Sequence, residues 1–214
     1  MDAATLQQKI YSGYGKAALR IGPAYDLYRP TSASLPTSQA NQIGTLNASF
    51  NAQDMTYSKP NVYGKPLWYA LVDGTQTRVG DYLIGDDQTF FIAAMQTTLP
   101  ILAVQCTNTL NIFRPQQQTA PGVNPYGGTV DENQTALMTA WPASVLQGTK
   151  GEKDGAVLPG DVRLPWWAIL LPAWPGVILR SADIITDDIN RRFIISSAEL
   201  TDLGWRITAM QAQT

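Results

Sequence analysis

Residues 81–94 read DYLIGDDQTFFIAA and residues 183–196 read DIITDDINRRFIIS. The two segments align at a constant offset of 102. In each, an aspartate opens a β-branched or aromatic run and a polar turn with paired aspartates follows (Asp86-Asp87, Asp187-Asp188). Phe91-Ile92 and Phe193-Ile194 then begin the return. An apolar run, a turn rich in Asp and Asn, and a second apolar run are the signature of a β-hairpin. A hairpin that occurs twice at a fixed offset points to an internal repeat.

The match extends upstream. Lys65-Pro66-Leu67-Trp68-Tyr69-Ala70-Leu71 corresponds to Leu164-Pro165-Trp166-Trp167-Ala168-Ile169-Leu170 at an offset of 99. The change from 99 to 102 needs a three-residue insertion, for which residues 172–176 have room. Further back, Asp26-Leu27-Tyr28-Arg29-Pro30 resembles Asn111-Ile112-Phe113-Arg114-Pro115. Three collinear matches predict a tandem duplication: a first β domain over 23–110 and a second over 111–214, preceded by a helix over 1–22. The second copy is longer between landmarks, with 50 residues from Pro115 to Pro165 against 36 from Pro30 to Pro66. Two turn-rich stretches, 116–134 and 148–161, fall there and read as long loops.

Short candidate strands fill the rest: 26–29, 45–50, 67–72, 81–84, 89–94, 103–106, 110–114, 145–146, 168–171, 183–186, 192–196 and 205–210. This density predicts a mainly β fold, with two small barrels or sandwiches in tandem. Trp68 and Trp166/Trp167 are expected to anchor the two small cores. Ahead of them, Ala3, Leu6, Ile10, Tyr14, Ala17 and Ile21 recur at helical spacing, with Asp2 as a cap and Gly22-Pro23 as a stop. Gly13 and Gly15 weaken this helix by about 1 kcal/mol each, so it needs a packing partner.

Composition excludes several chemistries. The chain has 214 residues and no histidine, which removes Ser-His-Asp and Cys-His catalysis and every His-ligated zinc site. Its one cysteine, Cys106, permits no internal disulfide and no thiolate cluster, and reads as a small core hydrophobe. Charged residues make up only 15% of the chain, which fits a surface partly covered by neighbouring subunits. Residues 1–80 hold seven Lys/Arg against four Asp/Glu, and residues 81–214 hold eight against thirteen, so neither part has the strongly basic balance of a nucleic-acid binder. The N-terminus has no signal-peptide pattern, and the longest apolar stretch, 164–179, is 16 residues long and interrupted by Pro165, Pro172 and Pro175. It reads as a buried strand and turn, too short to span a membrane. The expected location is the cytoplasm during assembly.

The candidates for chemistry are few. The aspartate pairs lack the spacing of a calcium loop and read as turn residues. The segment 11–16, YSGYGK, lacks the phosphate-loop pattern. The expectation is a chain that is not an enzyme, with no cofactor, no metal and no catalytic residue.

Residues 182–197 followed by Leu203-Gly204-Trp205-Arg206 resemble the hairpin of tailed-bacteriophage head–tail joining proteins, also called stopper, head-closure or neck proteins. Gly80-Asp81-Tyr82-Leu83-Ile84 and Phe90-Phe91-Ile92 resemble it in the first copy. The resemblance covers about 30 residues of each copy, and ordinary members carry one barrel at about half this length. It implies a homo-oligomeric ring in the virion, joined to the portal or an adaptor protein and to tail proteins, through which DNA passes without specific binding. Loop 116–134 could then reach into the channel as a gate. Tandem domains would let n chains present 2n similar modules to rings of different symmetry. Leu6, Ile10, Tyr14 and Ala17 of the helix, with Trp166 and Trp174, are the candidate subunit-interface residues. The alternatives are a tail hub, baseplate, fibre-adaptor or capsid decoration protein with similar β domains, or a carbohydrate- or receptor-binding module using the tryptophan-rich face.

Overall fold

The computed structural model describes residues 2–52, 64–85, 87–116, 134–148 and 166–212. A helix, α1 (Ala3–Ile21), precedes thirteen strands. The first seven are β1 (Ala24–Tyr28), β2 (Gln42–Asn47), β3 (Ser49–Ala52), β4 (Leu67–Leu71), β5 (Tyr82–Ile84), β6 (Thr89–Ala94) and β7 (Ile101–Cys106). The others are β8 (Asn108–Pro115), β9 (Gln134–Gln147), β10 (Trp166–Leu171), β11 (Ile184–Asp187), β12 (Arg192–Thr201) and β13 (Gly204–Gln211). The fold is mainly β, in two modules behind an N-terminal helix.

The second module is a closed barrel in the order β10-β13-β12-β11-β8-β9. The first is a seven-stranded sheet in the order β2-β1-β5-β6-β7-β4-β3. Its two edge strands, β2 and β3, are separated in the chain by Ala48 alone. A sheet whose opposite edges lie one residue apart must curl round on itself. The long β9 does in one piece what β2 and β3 do in two: its ends pair with β8 and β10, as β2 pairs with β1 and β3 with β4. The first module is therefore also a barrel in its connectivity, and is called barrel one below.

The registers repeat strand by strand. Tyr28 lies opposite Tyr82 as Phe113 lies opposite Ile184. Trp68 lies opposite Ala103 as Trp167 lies opposite Ala209. The return strands carry a bulge at the same place, between Ile92 and Ala94 and between Ile195 and Ser197. Even the aromatic pairs recur: Trp68 meets Phe90 edge-on at 6.2 Å, and Trp167 meets Phe193 at 5.4 Å. Trp68 and Trp167 sit partly buried at the margins of the two cores, and Trp166, also expected as an anchor, belongs to neither core.

Three sequence expectations are corrected. Leu83 faces Phe90 and Ile185 faces Phe193, so Phe193 corresponds to Phe90 and not to Phe91. The second turn is one residue longer, and the offset of the return strand is 103 rather than 102. The 110/111 division falls inside β8, and the chain changes sheet at Thr107. Gln134 belongs to β9, a 14-residue strand of which only 145–146 is legible as strand in the sequence. The rest of 116–134 beyond Gln116, and of 148–161 beyond Gly148, lies outside the described residues.

The helix also sits differently. Asp2 caps it by accepting the Thr5 N–H at 2.8 Å, and this hydrogen bond holds the Asp2 carboxyl below the usual range. Its inner face is Gln7, Tyr11, Gly15 and Ala18, turned from the predicted apolar stripe. A Cβ on Gly15 would approach Asp73 to 2.9 Å, and one on Gly74 would enter the Tyr11 ring. A Cβ on Gly22 would strike the Ala48 carbonyl. Close approach at Gly15, Gly22 and Gly74, with Tyr11 and Tyr14 packed on the core, fixes this docking. Burial pushes the Asp73 carboxyl up, but hydrogen bonds from Thr75 and Gln76 outweigh it and leave it below the ordinary value.

One equivalent pair invites a direct test. Gly80 has φ +87°, and its counterpart Ala182 has φ +72°. The left-handed region is free to glycine and costs an alanine about 1 kcal/mol. Ala182→Gly should therefore raise stability by up to about 1 kcal/mol, while Gly80→Ala should lower it by a similar amount. Urea-melt midpoints would check both signs, and a fall in the midpoint for Ala182→Gly would contradict the strain.

Candidate functional site

Buried charge is the usual first sign of chemistry, because an ionised side chain is kept out of water only for a reason. Asp81, Asp183 and Asp187 are the buried carboxylates among the described residues. Asp81 and Asp183 occupy equivalent places just before β5 and β11. Arg29, just beyond the end of β1, donates Nε and Nη2 to the two Asp81 oxygens at 2.9 and 2.7 Å. Arg114, near the end of β8, does the same to Asp183 at 2.9 and 2.8 Å. In each copy the carboxylate also accepts the N–H three residues upstream, from Arg78 or Arg180, at 2.8 Å. In each copy the guanidinium donates again to a loop carbonyl, Gln76 O at 3.0 Å or Ile178 O at 2.7 Å.

This is a four-point clamp, built twice. A planar guanidinium and a carboxylate form two parallel charge-assisted bonds that fix both position and angle. The hydrogen bonds that Arg29 and Arg114 donate to Asp81 and Asp183 raise the pKa of the two guanidinium groups. Each clamp ties the end of one strand to the loop that leads into the strand beside it. Each carboxylate accepts three hydrogen bonds within its clamp, which holds the strands together. All four residues lie in equivalent landmarks of the sequence, where nothing local joins them. The signal was the joint recurrence of an Arg-Pro pair and an Asp that opens a strand.

The second aspartate motif resolves into turn chemistry. Asp187 accepts N–H groups from Ile189 and Arg191 and pairs with the Arg191 Nε at 2.7 Å. The Arg191 guanidinium then lies over the Trp167 ring at 4.5 Å. Asp188 accepts from Asn108 at 2.8 Å. Asp86 lies outside the described residues. Among the described residues, no group of three or more His, Cys, Asp or Glu is arranged to hold a metal ion. Burial raises the pKa of the Cys106 thiol, which disfavours the reactive thiolate.

The contact between the barrels is the second site. Tyr28, Tyr82, Phe91, Val104 and Leu67 form one row across the outer face of barrel one. This row packs into the core of barrel two. Tyr82, fully buried, meets the Trp141 ring at 6.1 Å and donates its hydroxyl to Pro142 O at 2.9 Å. Desolvation raises its pKa well above the ordinary phenol value. Trp141 Nε1 donates to Ala33 O at 2.6 Å, and the Ser34 bridge to Thr139 straps the same junction.

The interface candidates divide. Leu6 is exposed, and Ile10 and Ala17 are half-buried on a flank of α1. Tyr14 packs on the core of barrel one. Trp174 packs on the core of barrel two, with its ring 5.8 Å from that of Trp141. Trp166 is half-buried on the outer face of β10, opposite Met210. No helix among the described residues is long and apolar enough to cross a membrane. In comparisons with known proteins, the chain matches no family model, no curated protein and no solved structure.

Proposed function

We propose that this chain is a structural virion protein of a tailed-phage head–tail connector or neck. Copies form a ring between the portal vertex and the tail, retain or channel DNA, and carry out no reaction of their own. One observation carries this reading: buried charge is committed to two equivalent clamps and one turn, while apolar side chains such as Leu6, Ile21, Ile194 and Met210 are left exposed. An enzyme needs the reverse, with unsatisfied polar groups converging in a cavity. Support comes also from the resemblance to head–tail joining proteins, whose hairpin falls on β11–β12 and recurs on β5–β6. We read the repeated registers and clamps as the product of a gene duplication.

The test is genetic. Particles of the encoding phage assembled without this protein should lose packaged DNA and lack tails, and antibody to the protein should label the head–tail junction of intact particles. Filled, tailed particles defective only in adsorption would overturn the reading in favour of a fibre adaptor or receptor binder.

A further inference from the structure

The outer row that joins barrel one to barrel two has a counterpart on barrel two. By register, Tyr28, Tyr82, Phe91, Val104 and Leu67 correspond to Phe113, Ile184, Ile194, Met210 and Trp166. All five replacements keep the position apolar. In barrel one the row is covered by the next module, and Phe91 and Val104 are buried. In barrel two, among the described residues, Ile194 and Met210 are 45% and 40% exposed, Phe113 and Trp166 are half-buried, and Ile184 is buried. Ser196, Ser197 and Thr208 flank the row and give it a polar rim. A small apolar centre with a polar margin is the anatomy of a protein interface.

The internal junction also indicates what would cover it. Row one sits on the β8–β9 side of barrel two, at Trp141 and Pro142. The equivalent side of barrel one is β1–β2 up to Ala48, where the C-terminal end of α1 lies: Asn47 Nδ2 donates to Gly22 O at 2.8 Å, and Gly22 packs on Ala48. A following copy that repeated the junction would thus arrive through α1. Along one flank of its inner face, α1 carries an apolar stripe of Leu6, Ile10, Ala17 and Ile21, with Leu6 42% and Ile21 57% exposed and Ile10 and Ala17 half-buried. Leu6, Ile10, Ala17 and Ile21 fall at helical spacing on one side of the helix.

We propose that the exposed part of this row, Ile194 and Met210 with Phe113 and Trp166 beside them, binds a second copy of this chain, head to tail, through the Leu6–Ile10–Ala17–Ile21 stripe of α1. The contact is heterologous, so each chain keeps one free face of each kind, and successive copies close into a ring or extend as a filament. The inference deepens the self-association within the proposed function, but does not depend on a place in the virion.

Sedimentation velocity on the full chain tests it. Wild type is expected to associate at micromolar concentration. Ile194→Arg, and separately the double variant Leu6→Arg/Ile21→Arg, should each weaken association at least about tenfold, since a charge buried at an apolar contact costs more than 1.4 kcal/mol. All three positions are exposed, so both variants should keep the wild-type circular dichroism and melting curve; Met210→Lys serves in place of Ile194→Arg if that chain misfolds. Val79→Arg, at an exposed site off both surfaces, should associate as wild type does. An equimolar mixture of the two defective chains should form heterodimers and stop there, because each retains the half the other lacks. A monomeric wild type, normal association of Ile194→Arg, or a helix variant that still associates would overturn the proposal, the last by pointing to a symmetric contact of the row with itself. A protein that labels the neck but stays monomeric would end this inference and leave the proposed function standing.

Discussion

Replacing Arg114 by alanine is expected to cost about 3–5 kcal/mol of folding stability, the usual penalty for removing one partner of a buried ion pair. The Asp183 side chain is 2% exposed and the Arg114 side chain 31%, so the carboxylate left behind would be reached by water only through the space the guanidinium vacates. It would keep one hydrogen bond, from the Arg180 N–H, and lose both bonds from the guanidinium. Arg114→Lys should recover only part of the loss, because an ammonium cannot reproduce the parallel pair of bonds or reach Ile178 O at the same time. Arg29→Ala should cost the same within about 1 kcal/mol, since its geometry with Asp81 is nearly identical. Guanidinium denaturation of the four chains would decide. A loss below about 1 kcal/mol for Arg114→Ala would show that the clamp does not hold the barrel.

The second large effect is expected at Trp141. It is 1% exposed and joins three parts of the molecule. Its ring touches Tyr82 from barrel one and Trp174 from the segment after β10, and its Nε1 holds the Ala33 carbonyl. Trp141→Ala should lose about 3–5 kcal/mol for the cavity and about 1 kcal/mol more for the hydrogen bond. Trp141→Phe refills much of the volume and restores no donor, so it should fall well short of the full loss. If alanine and phenylalanine were equally mild, as measured by thermal and chemical unfolding, the junction would not depend on this side chain.

Much of the fold is legible in the sequence because strand pairing leaves marks at fixed positions. The Asp-initiated hairpins, the Trp-containing strands and the Arg-Pro strand ends appear in the same order in both copies, and the structure gives each the same neighbours. The one-residue slip between Phe91 and Phe193 was hidden because turns 85–88 and 187–191 both offer paired polar residues while differing in length. The extent of β9 was hidden for a different reason. Residues 134–144 read QTALMTAWPAS, with no steady alternation, because the strand is bulged against β8 and Ala140 takes φ +56°. The helix docks through Tyr11, Tyr14 and its small residues, and of these only Tyr14 belongs to the apolar stripe legible in the sequence. The clamps required two landmarks to be joined across 52 residues in one copy and 69 in the other, which no local pattern records.

Tyr82 belongs by sequence to the first repeat and by packing to the core of the second. On the proposed duplication, the unit that was copied and the unit that must fold would no longer be the same. A duplicated half is at first expendable, since either copy can be lost without harm to the other. Once one repeat supplies the inner wall of its sibling, that freedom ends, and drift in either half is judged by the stability of the whole chain.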